Sequence, residues 1–242
     1  MKREYVKWFS PRLNREMELL IFGDRGARVL VFPTREGRFF DYEDWGLAGA
    51  LSESVNAGHL QLFCVDSLDS EALYCRHCPA ETKLARQRQW ESYVLEEVLP
   101  FSEWKNQNPH VVAHGCSIGA YHAVTLALRH PSRFCKVVGL SGRYDLTKAV
   151  GPFDDLFRGV YSEDIYFHMP NHFVPNLSDE HVLSQIRRME VVLAVGMEDP
   201  FCESNLALAQ SLEAKGIPAR LHLWEGEAHR ARYWRQMVRH YL

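Results

Sequence analysis

Three side chains that could together carry out acyl transfer stand far apart in the sequence. They are a serine in Gly115-Cys116-Ser117-Ile118-Gly119, an aspartate in Gly196-Met197-Glu198-Asp199-Pro200 and a histidine in Gly226-Glu227-Ala228-His229. A serine hydroxyl is a weak nucleophile until a neighbouring base takes its proton, and a neutral imidazole suits that task near neutral pH. A carboxylate on the other ring N–H fixes the imidazole tautomer and stabilises the cation as it forms. Ser117, His229 and Asp199 fit these roles in the chain order nucleophile, acid, histidine, one of several orders in which such triads occur. Glu198 is a rival to Asp199, because a one-residue difference in the turn would present it instead.

The tetrahedral oxyanion of such a reaction needs two N–H donors. The Ile118 amide, directly after the nucleophile and opening a helix, supplies one. The second is expected from the loop after the apolar run 29–32, where Pro33 has no N–H and Thr34 is the first residue that has one. Arg35, Phe39 and Trp45 are candidates for substrate binding, the arginine through its charge and the rings as walls of an acyl or aryl pocket. Cys116 would point away from a cleft into which Ser117 points, and His114 and His122, on either side of the serine, are read as packing residues.

These residues act together only if the fold brings them to one edge. Residues 111–116 are apolar and end in the Gly-x-Ser-x-Gly turn; Ala120, Ala123, Val124, Ala127 and Leu128 then share one helical face, so the serine sits at a strand-to-helix turn. Residues 29–32, 60–65, 136–140 and 191–195 are apolar runs bounded by turn signals, as in strands buried on both faces of a parallel sheet, and 219–224 is a further strand. Alternation on either side of Pro11-Arg12-Leu13-Asn14 predicts an opening hairpin. A helix is expected from about Tyr42 to just before Gly58, with Leu47, Leu51 and Val55 on one face. Another covers 81–104, kinked or stopped at Pro100, and a third covers 205–215, closed by Gly216 and Pro218. After His229 a last helix presents Trp234, Met237, Val238 and Tyr241 inward. Between 143 and 188 the periodicity is lost in an aromatic, proline-containing stretch, read as a cap-like insertion with short helices. The expected architecture is a single α/β domain over 1–242, a mainly parallel central sheet with helices on both faces. Ligands of such sheets bind at the carboxyl ends of the strands, where Ser117, Asp199 and His229 all fall.

Composition narrows the field. The chain has 242 residues, 46% hydrophobic and 24% charged, enough for one sizeable core. A net charge of -3 gives no electrostatic footprint for nucleic acid, and no apolar run approaches the ~18 residues of a membrane span. The opening Met1-Lys2-Arg3-Glu4-Tyr5-Val6-Lys7 lacks the apolar stretch of a secretory signal, so a cytoplasmic location is the expectation. Six cysteines at irregular spacing suit reduced thiols better than a disulfide framework. Cys75 and Cys78 have the spacing of a redox or zinc motif without a second pair, and are read as loop cysteines. No metal or organic cofactor is expected.

Five stretches together resemble the esterase branch of the α/β hydrolases, which includes esterase D (S-formylglutathione hydrolase), feruloyl esterases and mycolyltransferases. They are Gly115-Cys116-Ser117-Ile118-Gly119-Ala120-Tyr121-His122-Ala123, Leu128-Arg129-His130-Pro131, Leu140-Ser141-Gly142, Gly196-Met197-Glu198-Asp199 and Gly226-Glu227-Ala228-His229. The likeness extends over nearly the whole chain. It implies an α/β-hydrolase fold, Ser117, Asp199 and His229 as a triad, and the Thr34 and Ile118 amides as an oxyanion hole. Phe32-Pro33-Thr34 departs from the glycine-containing loop of many relatives. The expectation is a serine carboxylesterase acting on a small-molecule ester or thioester through an acyl-enzyme. The alternatives are an acyltransferase with the same triad and a non-catalytic binding protein on a hydrolase fold. The acyl and alcohol groups, and homo-oligomerisation, are left open.

Overall fold

A computed structural model describes residues 1–242. Eight strands form one sheet: β1 (Arg3–Ser10), β2 (Arg15–Phe22), β3 (Ala27–Phe32), β4 (Leu60–Val65), β5 (Val111–Cys116), β6 (Lys136–Leu140), β7 (Glu190–Gly196) and β8 (Ala219–Trp224). Their spatial order is β1-β2-β4-β3-β5-β6-β7-β8. β1 and β2 make the expected antiparallel hairpin, with Ser10 opposite Arg15, and β2 runs antiparallel to β4. All other neighbouring pairs are parallel.

The central strands are mostly apolar on both faces, because helices cover both sides of the sheet. In β3, Leu30 and Phe32 enter one core while Val29 and Val31 enter the other; in β5, Val111 and Ala113 part from Val112 and Cys116 in the same way. That is the two-residue period of a strand. One face is packed by α4 (Ala80–Tyr93), α5 (Leu99–Lys105), α6 (Ile118–Arg129) and α10 (Cys202–Ala214). The other is packed by α1 (Asp41–Asp44), α2 (Leu47–Ala50), α3 (Ser52–Ala57) and α11 (Ala231–Tyr241).

Two helical regions differ from their expected form. The segment from Tyr42 to Gly58 is three short helices, with α1 and α2 separated at Gly46, whose φ of 73° leaves the helical region. Leu47, Leu51 and Val55 still form its buried side. Between α4 and α5, residues Val94–Val98 form a π-helical turn, which absorbs the disruption from Pro100 in the first turn of α5, a residue with no N–H to give the preceding turn.

Within 143–188 lie α7 (Glu163–His168), α8 (Pro170–Asn176) and α9 (Glu180–Ile186). Ser162 and Asp179 cap α7 and α9 by accepting their first free N–H groups, each worth about 1 kcal/mol. Phe173, Val174, Leu183 and Ile186 enter the main core, so α8 and α9 are part of the sheet's cover, whereas Arg143 and Phe153 reach the cleft.

The cysteines require a correction. Cys75 and Cys78 are not reduced loop thiols but a disulfide, their Cα atoms 5.4 Å apart. The chain turns at Arg76-His77 between them, which brings the two Cα atoms within the usual bridging range. Cys64, Cys116, Cys135 and Cys202 are free.

Candidate active site

β3 and β5 are neighbours, but the chain passes from β3 to β4 on one side and from β5 to β6 on the other, so their carboxyl ends flank a crevice. Ser117 follows β5 on one side of it and Thr34 follows β3 on the other. Ser117 has φ 57° and ψ -123°, a conformation costing a non-glycine residue on the order of 1–3 kcal/mol. It aims the hydroxyl off the sheet edge. The flanking glycines make the turn sterically feasible: a Cβ on Gly115 would lie 2.2 Å from the Gly119 carbonyl, and one on Gly119 would lie 2.3 Å from the Phe32 oxygen. Strand, helix and the end of β3 therefore meet backbone to backbone.

His229 stands between the other two residues. Its Nε2 is 3.0 Å from the Ser117 hydroxyl oxygen and its Nδ1 is 2.9 Å from Asp199 Oδ2. A carboxylate can only accept, so Nδ1 carries the proton and Nε2 faces the serine with its lone pair. Asp199 is inaccessible to solvent, and its second oxygen accepts the Phe201 N–H at 2.9 Å. Glu198, the rival, is exposed. The imidazole meets the rings of Phe201 and Trp234 edge to face, with centroids 5.6 and 5.3 Å away. Trp234 is itself anchored by its indole N–H, which donates to the Ser141 hydroxyl at 3.1 Å.

The amides of Thr34 and Ile118 donate to no other group of the chain, and both residues border the cavity in front of Ser117. Carboxylates hold the loop that carries Thr34. The Glu36 N–H donates to Asp69, the Arg38 N–H to Asp41 and the Phe39 N–H to Asp66, each at 3.2 Å.

The cavity has a volume of about 280 Å³ and includes Arg35 and Trp45 in its wall. Phe39, expected there, is a correction: its ring is buried in the core away from the cleft, packed on Tyr5 and Phe40 at 5.7 and 5.1 Å. The hydrogen bond from its amide to buried Asp66 holds that part of the loop against the sheet. Tyr74, Arg143, Phe153, Phe201 and Trp234 complete the wall. Arg143 follows β6 at the same sheet edge, so the strand-end position that singles out the triad candidates also marks it. Tyr74 and Phe201 carry no comparable signal. Burial, with Asp69 nearby, pushes the Tyr74 hydroxyl up to about 12 and keeps it neutral. Burial also pushes the Cys116 thiol well up and His114 down to about 4, so neither is a charged reactant at the elbow.

The fold and the elbow define an α/β hydrolase. The chain superposes on an S-formylglutathione hydrolase from Agrobacterium tumefaciens with a TM-score of 0.76 at 16% identity, covering 98% of this chain and 91% of that one. It is similarly close to a ferulic acid esterase, TM-score 0.75 at 16% identity over 98% and 95% of the two chains. MPT51 (FbpC1) of Mycobacterium tuberculosis gives a TM-score of 0.69 at 13% identity over 98% and 95%. No curated protein sequence matches the chain. Residues 71–240 match the family model described as "Putative esterase", and the chain belongs to this esterase family. It is accordingly a carboxylic ester hydrolase. No helix is long and apolar enough to cross a membrane.

Proposed function

We propose that Ser117, His229 and Asp199 are the catalytic triad of an esterase that hydrolyses a small-molecule ester or thioester through an acyl-enzyme. The observation that carries this reading is the position of His229, within hydrogen-bond reach of the hydroxyl on one side and the carboxylate on the other. In the first half-reaction the Ser117 oxygen attacks the acyl carbon and its proton passes to His229 Nε2. The carbonyl oxygen becomes an oxyanion held by the Thr34 and Ile118 amides. As the tetrahedral intermediate collapses, the alcohol or thiol departs with the proton from His229, leaving the acyl group on Ser117. In the second, His229 takes a proton from water, the hydroxide adds to the acyl carbon, and the acid leaves as Ser117 regains its proton. Asp199 keeps the imidazole in the required tautomer throughout.

The test is a fluorophosphonate probe followed by peptide mapping, with turnover of p-nitrophenyl acetate measured in parallel. The probe is expected on Ser117, and Ser117→Ala is expected to lose labelling and at least about 10³-fold in kcat. Unchanged turnover in that variant would refute the proposal.

A further inference from the structure

Behind the cavity at Ser117 lies a second, larger one of about 600 Å³, and Arg35, Tyr74, Arg143 and Phe153 border both. The second cavity is polar and basic. Arg35, Arg76, Lys83, Arg143 and Arg158 line it against the acids Glu36, Asp154 and Asp155, in a chain whose net charge is -3. None of those five cations is ion-paired. Lys83 donates to the Leu156 carbonyl, Arg158 to the Arg76 carbonyl, and Arg143 to the carbonyls of Lys148 and Asp154. Asp155 spends its oxygens on the Phe157 and Gly159 N–H groups.

Arg143 is the sharpest feature. It is 3% exposed, both its hydrogen bonds leave from Nη2, and its Nε has no partner. A buried guanidinium without a carboxylate is costly unless something supplies the missing anion, and with both Nη2 protons spent on carbonyls, Nη1 is the nitrogen left to donate to one. Burial lowers the proton affinity of Arg143, and burial together with Arg158 lowers that of Lys83. An incoming anion would offset that cost. Arg35 stands exposed at the junction of the cavities, over the Tyr74 ring at 5.8 Å.

We propose that the substrate is an ester bearing an oxyanion group, a carboxylate or a phosphate, which lies against Arg143 and Arg35 while the ester carbonyl lies at Ser117. This rests on the triad reading above, and the test separates the two.

The acyl arm compares p-nitrophenyl monoadipate with p-nitrophenyl hexanoate. The alcohol arm compares 4-acetoxybenzoate and 4-acetoxyphenyl phosphate with methyl 4-acetoxybenzoate, each rate corrected for spontaneous hydrolysis. An anionic ester in at least one arm is expected to exceed its neutral counterpart in kcat/KM by about 10- to 100-fold, the worth of one charge-assisted contact. Which of 4-acetoxybenzoate and the phosphate gains more identifies the oxyanion on that side. The ratio should shrink in about 0.5 M NaCl through screening. It should collapse in Arg143→Gln and be partly kept in Arg143→Lys. Arg35→Gln, at an exposed position, should lower the same ratio severalfold and keeps the test open if the Arg143 variants do not fold. Equal rates for anionic and neutral esters in both arms, with Ser117 still labelled, would overturn this inference and leave the triad reading standing. No turnover and no label would remove both.

Discussion

Asp69 and His122 meet at 3.1 Å beneath the cleft, carboxylate to imidazole Nε2, both side chains almost fully buried. The pair ties the loop after β4 to helix α6. The second carboxylate oxygen of Asp69 accepts the Glu36 N–H at 3.2 Å, two residues from Thr34. His122 thus fixes Asp69, and Asp69 fixes the loop carrying a proposed oxyanion donor. Asp69→Ala should lower kcat by about 10- to 100-fold, the effect of one misplaced hydrogen bond to a charged transition state. KM for a neutral ester should change little, since the contact matters only when the oxyanion forms. Asp69→Asn retains an acceptor for Glu36 and should lose less. Steady-state kinetics with a thermal-unfolding check would decide; a rise in KM with kcat unchanged would place Asp69 in substrate binding instead.

Asp199 and Glu198 are adjacent, yet only Asp199 reaches His229. Asp199→Asn leaves the imidazole in the wrong tautomer and should reduce kcat by about 10³- to 10⁴-fold with the fold intact. Glu198→Gln, at an exposed position, should stay within about twofold. The two variants assayed side by side on p-nitrophenyl acetate identify the acid; loss in Glu198→Gln alone would reverse the assignment.

The positions of the strands along the chain were legible because two-sided burial writes itself into the sequence: β3, β5, β6 and β7 have no polar face to interrupt their apolar runs, whereas their order in the sheet was not. Loops that follow the strands of a parallel sheet come together at one sheet edge, which is why Ser117, Asp199 and His229, after β5, β7 and β8, stand out in the sequence alone. The choice between Asp199 and Glu198 was not legible, because it turns on the local geometry of residues 196–199. The place of Phe39 depends on Asp66, a residue on another strand's loop, and nothing in the local pattern announces that hydrogen bond. Gly46 interrupts an apolar face that is itself correctly spaced, so periodicity alone extends the helix through it. The Cys75–Cys78 bridge depends on a turn whose neighbours in sequence lack any framework spacing.

His114 makes stability depend on pH. Its ring is fully buried in β5, with Nδ1 donating to the Val138 carbonyl at 2.9 Å and Nε2 unpartnered. Burial pushes it down to about 4, the bond to Val138 opposing only in part. The unfolded chain takes up this proton near about 6.5. Between those values the unfolded state holds the extra proton, so stability is full above the unfolded pKa, falls as pH drops toward about 4, and then levels off. His114 alone can account for roughly 3 kcal/mol of that loss. Urea unfolding across this range should show a shallower pH dependence in His114→Leu than in the unaltered protein, whatever the variant's absolute stability. Identical slopes would mean that other groups set the acid limb.

Gly196 ends β7 where the acid loop and the histidine loop touch. A Cβ there would lie 2.0 Å from the Glu227 carbonyl oxygen, and the Glu198 N–H donates to the Gly226 carbonyl at 3.0 Å. The backbone three residues before Asp199 is thereby clamped to the backbone two residues before His229. Gly196→Ala must push these loops apart by about 1 Å, a misplacement that can cost about 10²-fold in rate when it reaches reacting groups. We expect kcat/KM and fluorophosphonate labelling of Ser117 to fall together while the circular dichroism spectrum is kept. Gly49→Ala is the matched control: it lies in α2 with nothing within 4 Å of the added carbon, and should be neutral or stabilising by up to about 1 kcal/mol. Full turnover in Gly196→Ala would mean that the carboxylate-to-imidazole contact survives displacement of both loops, and that their close approach is not what holds His229 in register with Ser117.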